Sequence, residues 1–146
     1  MSPTFELRSL DIGSGPLHGL LAKPSRPRGL VLHLHGTWGN FYANPFIVPL
    51  SGMYVDAGYA FLTANLPGHD ETAVTENFRD SASAITNWIS AVDVEGPVIL
   101  QGHSLGALKA LDYAARCTAK PDRFVLLSPF DVIAFYSGKK PERLAN

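Results

Sequence analysis

Val98-Ile99-Leu100-Gln101-Gly102-His103-Ser104-Leu105-Gly106 runs an apolar strand pattern into a G-x-S-x-G turn, and Ala107-Leu108-Lys109-Ala110-Leu111 continues at once as helix-forming sequence. A serine on such a strand-to-helix turn is lifted out of the sheet into an exposed, strained corner. The flanking glycines let neighbouring backbone approach where a Cβ would obstruct it. Gly and Ser are common in ordinary turns. The motif gains force from the strand before it, the helix after it and a second motif upstream.

Working outward from that turn, the chain alternates strands and helices. Phe5 to Leu10 alternates apolar and polar residues, as a half-exposed strand does. Gly13-Ser14-Gly15-Pro16 is turn chemistry, and 17–22 reads as the returning strand of a hairpin. Gly29 to Gly36 is a near-continuous apolar run, expected for a strand buried on both faces. Residues 45–57 have helical spacing, with an internal Pro49 that should weaken or kink the helix. Residues 58–66 predict the next strand, ended by Pro67-Gly68. Phe78, Ala82, Ile85 and Ile89 place an amphipathic helix over 76–92. Residues 105–117 give a further helix, and Arg123 to Ser128 one more buried strand. An opening antiparallel hairpin followed by alternating strands and helices predicts an α/β fold. Its sheet is mostly parallel, with helices on both faces.

Composition narrows the class. The 146 residues, 46% hydrophobic, fit a single domain over 1–146. A net charge of −1 without a basic run argues against nucleic acid as a partner. No stretch approaches the roughly 20 apolar residues of a membrane span. Met1 to Glu6 has neither the basic nor the apolar region of a signal peptide, so a cytoplasmic protein is the expectation. The single Cys117, in an apolar helical pattern, reads as a small core residue. No His/Cys/Asp/Glu spacing suggests a metal, and no phosphate-binding glycine motif is present, so no cofactor is implied.

Three segments together resemble the α/β-hydrolase superfamily. His35-Gly36 matches its strand-end H-G motif, Asn65-Leu66-Pro67-Gly68-His69-Asp70 its loop after the next strand, and residues 102–106 its nucleophile elbow. The resemblance covers essentially the whole chain but only the first two-thirds of the family's fold. In family order the acid and the histidine follow the nucleophile. It therefore implies an incomplete α/β-hydrolase fold that stops before the usual acid and histidine strands.

The resemblance also implies roles. Ser104 would be the nucleophile, with the backbone N–H of Leu105 and of Thr37 as oxyanion donors and Trp38 as the near alternative to Thr37. His35 would brace the oxyanion loop. His103, the elbow's own x residue, should point away from the serine hydroxyl. His35, Trp38 and His103 are thus the expected substrate-side neighbours. His33 reads as a packed core residue, and His18 lies far from the elbow. His69 is the in-chain candidate base with some freedom to approach. Asp131 is either an acid or the N-cap of an apolar helix at 132–136, and the cap is the preferred reading. Asp70-Glu71 reads as a solvated pair. Trp38, Phe41, Tyr42 and Phe46 either line an acyl pocket or staple the following helix to the sheet.

Three functional readings follow. The first is a serine hydrolase or acyl-transfer enzyme, acting on a small-molecule ester, thioester or amide. Its sheet and histidine would be completed by a second polypeptide or by self-association. The second is a non-catalytic binding or interaction module that keeps the nucleophile half of the fold. The third is a minimal enzyme using His69 and Asp131 in unusual roles.

Overall fold

The structure is a computed structural model and describes residues 4–37, 39–69 and 75–129. Six strands and three helices follow in the order β1 (Glu6–Asp11), β2 (Pro16–Ala22), β3 (Leu30–Leu34), α1 (Ile47–Asp56), β4 (Ala60–Ala64), α2 (Phe78–Ala91), β5 (Val98–His103), α3 (Leu105–Arg116) and β6 (Arg123–Leu127). They form one sheet of order β1-β2-β4-β3-β5-β6. The hairpin β1–β2 is antiparallel and β2 joins β4 antiparallel, while β4, β3, β5 and β6 run parallel. The expected mixed sheet, mostly parallel, is what the chain forms.

Strand periodicity sorts the core into two layers. Leu30, Leu32, Leu34, Ala60, Leu62, Ala64 and Leu100 face α2 and α3, packing on Ile85, Trp88, Ala110 and Tyr113. Val31, Phe61 and Ile99 face the other way, onto Ile47, Leu50 and Tyr54 of α1. Both faces of β3 and β4 are therefore dry, which explains why apolar residues fill them except at His33 and Thr63. The polar members of the α1 face are His33, with Thr63 and Gln101 opposite it on the neighbouring strands.

Two expectations need correction. The helix begins at Ile47 rather than Pro45, so Pro49 is not internal but stands at the third position of α1, where a backbone N–H has no intrahelical acceptor to lose. β6 is not a buried strand. Among the described residues it pairs only with β5, and Phe124, Leu126 and Leu127 are exposed. An apolar run signals burial only when both faces are covered, and among the described residues β6 is the edge of the sheet.

Candidate active site at the strand 5 to helix 3 turn

The elbow forms as its sequence dictates. β5 delivers His103, and Ser104 then adopts φ 54 and ψ −120 before α3 begins at Leu105. A non-glycine residue at that φ is strained, at a cost on the order of 1–3 kcal/mol, and persists only where its surroundings over-determine it. Here they do. A Cβ on Gly102 would lie 2.4 Å from the Ala107 backbone, and one on Gly106 would lie 2.1 Å from the Leu34 carbonyl oxygen. The turn is thus clamped between its own helix and β3, and both glycines of the motif are required by close approach.

Two backbone donors sit at this corner in different circumstances. The Ser104 N–H is donated to the Leu127 carbonyl at 2.9 Å, which extends the β5–β6 ladder by one rung. Leu105 is the first residue of α3, so its N–H belongs to the helix-start donors without an intrahelical acceptor, at the positive end of the helix dipole.

The loop after β3 packs directly on the elbow. A Cβ on Gly36 would lie 2.9 Å from Ser104 Cβ, and Gly39 N–H donates to the Gly36 carbonyl at 3.0 Å to close a turn around Thr37. Asn65 fastens the far side of this loop. Its side-chain oxygen accepts the Phe41 N–H at 2.9 Å, its backbone carbonyl accepts the Trp88 indole at 3.0 Å, and Thr63 donates to the Phe41 carbonyl. A cavity of about 340 Å³ opens at the junction, lined by Gly36, Thr37, Gly39, Ala43, Asn44, His103 and Ser104.

The predicted site residues divide accordingly. Ser104, Thr37 and His103 share this cavity, and Leu105 adjoins it. The His103 ring lies against Phe46, with centroids 5.6 Å apart. His35 is buried and donates Nδ1–H to the Gly36 carbonyl at 2.9 Å. Burial holds its pKa down to about 4, opposed by that hydrogen bond. His33 is wholly buried between Phe46 and Phe61, and burial pushes its pKa down to about 3. His69 does not line the cavity. It donates Nε2–H to Glu76 at 3.3 Å and packs edge-on against His35. Phe46 packs with the α1 cluster and Phe41 is buried beneath the loop, while Tyr42 is exposed. These three are not among the residues that line the cavity. Trp38, Asp70, Glu71 and Asp131 lie outside the described residues.

Sequence alone assigned no role to Glu76 or Lys109, and Asn65 entered only as part of the 65–70 loop motif. Lys109 hides within an apolar helical pattern. Asn65 could have been found as a polar residue between a buried strand and Pro67. Among the described residues no group of three or more His, Cys, Asp and Glu side chains could hold a metal ion. Among them, too, no helix is long and apolar enough to cross a membrane.

A mixed sheet with a strained serine between strand and helix, facing a glycine loop from the neighbouring strand, defines the α/β-hydrolase class. Residues 31–145 match the Alpha/beta hydrolase family, and the chain belongs to it. Solved structures repeat the fold. A thermostable carboxyl esterase from Bacillus coagulans superposes with TM-score 0.67 at 20% identity, over 84% of this chain and 44% of that one. An epoxide hydrolase from Vigna radiata gives 0.66 at 24% identity, over 85% and 40%. A cold-adapted esterase from an Arctic intertidal metagenomic library gives 0.68 at 19% identity, over 86% and 61%. The chain thus spans between 40% and 61% of these relatives. No curated protein matches it.

Proposed function

We propose that the protein is a serine hydrolase or acyl-transfer enzyme acting on a small-molecule ester, thioester or amide. Ser104 attacks the carbonyl carbon as its hydroxyl proton passes to the base, and the backbone N–H groups of Leu105 and Thr37 hold the oxyanion. Its collapse expels the alcohol, thiol or amine, which takes the proton back from the base. Water or another acceptor then releases the acyl group from the serine. The strained conformation of Ser104 above a helix start, facing the Gly36–Gly39 loop, is the observation that carries this reading. Preorganised donors of this kind are worth roughly 3 kcal/mol each to the transition state.

Among the described residues, no imidazole hydrogen-bonds the Ser104 hydroxyl, and His69 is engaged by Glu76. We propose that the base comes from outside the described residues, with a second polypeptide paired along β6 as its source, and that the acid comes either from that polypeptide or from Asp131. Both faces of that strand present exposed apolar side chains, Phe124 and Leu126 on one and Leu127 on the other. The same open edge favours the second reading, a non-catalytic module that binds a partner there.

Intact mass under denaturing conditions, on protein from its native source treated with a fluorophosphonate, separates the two. The enzyme reading expects one phosphonyl adduct on Ser104, absent in Ser104→Ala, together with a second polypeptide. A lone chain with no adduct refutes it and leaves the binding module.

A further inference from the structure

Lys109 is the anomaly of the interior. It lies on the buried face of α3, with only 2% of its side chain exposed. An ammonium at that depth demands a partner. Its Nζ donates to Glu76, which lies ahead of α2 and 33 residues away in sequence. Glu76 in turn accepts Nε2–H of His69 at 3.3 Å through the same carboxylate oxygen. The His69 hydrogen bond, then the Lys109 ammonium, hold the Glu76 pKa down to about 2 against the opposing effect of burial, so the carboxylate is charged at neutral pH.

The contacts continue beyond this pair. Gly68, at φ +96, is pressed so closely on Glu76 that a Cβ there would lie 2.6 Å from the Glu76 backbone nitrogen. The adjoining His69 ring stands edge-on to His35 with centroids 4.4 Å apart. His35 donates to the Gly36 carbonyl, which also accepts the Gly39 N–H. Every link from the interior of α3 to the turn around Thr37 is thus a direct contact.

We propose that Lys109 and Glu76 are positioning residues. Their half-buried ion pair fixes the 66–69 loop, and through the His69–His35 contact it sets the orientation of the Gly36–Gly39 turn that presents Thr37 to Ser104. The role in reaction rests on Ser104 being the nucleophile, while the structural part stands independently of it. An apolar pair would fill the same space without an ion pair, and replacement of buried ion pairs by apolar residues is commonly neutral for stability. A purely structural role therefore predicts that such a pair is silent at the loop.

The test compares the wild-type chain, assembled with the second polypeptide that supplies the base, with Glu76→Gln and with the double variant Glu76→Leu/Lys109→Met in the same assembly. It reads amide resonances of Gly36, Thr37 and Gly39, imidazole resonances of His35, and the rate of fluorophosphonate labelling. The expected result is a double variant that unfolds at the wild-type temperature but shows displaced Thr37, Gly39 and His35 signals. Labelling should be slowed at least tenfold. Unchanged resonances in a folded double variant, or displaced resonances with wild-type labelling, would overturn the proposal. If the wild-type assembly takes no label, the nucleophile assignment fails. The resonances still decide whether the ion pair sets the loop. Glu76→Gln keeps the shape while removing the charge, so its spectrum decides the case should the double variant not fold.

Discussion

Lowering the pH from 7 to 5 should destabilise this fold steeply, because two buried imidazoles are neutral in it. Burial lowers His33 to about 3 and His35 to about 4, whereas an unfolded chain holds each near the ordinary value of 6.5. Between those limits the unfolded state binds more protons than the folded one, so stability present above pH 6.5 is lost as the pH falls. At pH 5 each unfolded imidazole is about 1.5 units below its pKa, which removes about 2 kcal/mol per histidine and about 4 kcal/mol together. Against a typical total of roughly 5–15 kcal/mol, that is a large share. Glu76 does not contribute here, since its depressed pKa acts only below the ordinary glutamate value of 4.5. Urea unfolding followed by circular dichroism at pH 7, 6 and 5 measures the loss directly. The His33→Leu variant should halve the drop and match or exceed wild-type stability at pH 7, because both ring nitrogens of His33 are buried without a hydrogen-bond partner. Equal midpoints at pH 7 and 5, or an undiminished drop in His33→Leu, would refute the argument.

Two further predictions concern the elbow. Ser104→Gly should raise stability by about 1 kcal/mol, by relieving the φ of 54, while abolishing fluorophosphonate labelling; a loss of stability in urea unfolding would contradict the strain. Gly106→Ala should lower stability by about 3 kcal/mol and the melting temperature on the order of 10 °C, since its Cβ would meet backbone oxygen at 2.1 Å; a wild-type calorimetric transition would show that the contact yields.

The elements that a local pattern encodes were legible. Near-continuous apolar stretches located β3 and β4, Val98-Ile99-Leu100 located the start of β5, and three- and four-residue steps located α2. The G-x-S-x-G turn was readable because its glycines are dictated by contacts that the strand and helix on either side make unavoidable. Exposure of β6 was not, because the side-chain pattern of a strand does not say what covers it. Nor was the engagement of His69. Its partner Glu76 lies across a loop, and the ion that anchors Glu76 comes from α3, whose periodicity presents Lys109 as one more core position. Pairings of that kind arise only when the sheet brings distant segments together.

Asn65 holds the Phe41 amide on one side and the Trp88 indole on the other. The indole is almost wholly shielded from water, and its N–H ends on the residue that fastens the segment following Thr37. The emission of Trp88 is consequently wired to the mouth of the cavity. A ligand that pulls this segment should alter the polarity felt by an indole buried in the α2–α3 layer of the core. With Trp38 replaced by phenylalanine, the protein carries its own optical gauge of occupancy, readable without any attached dye.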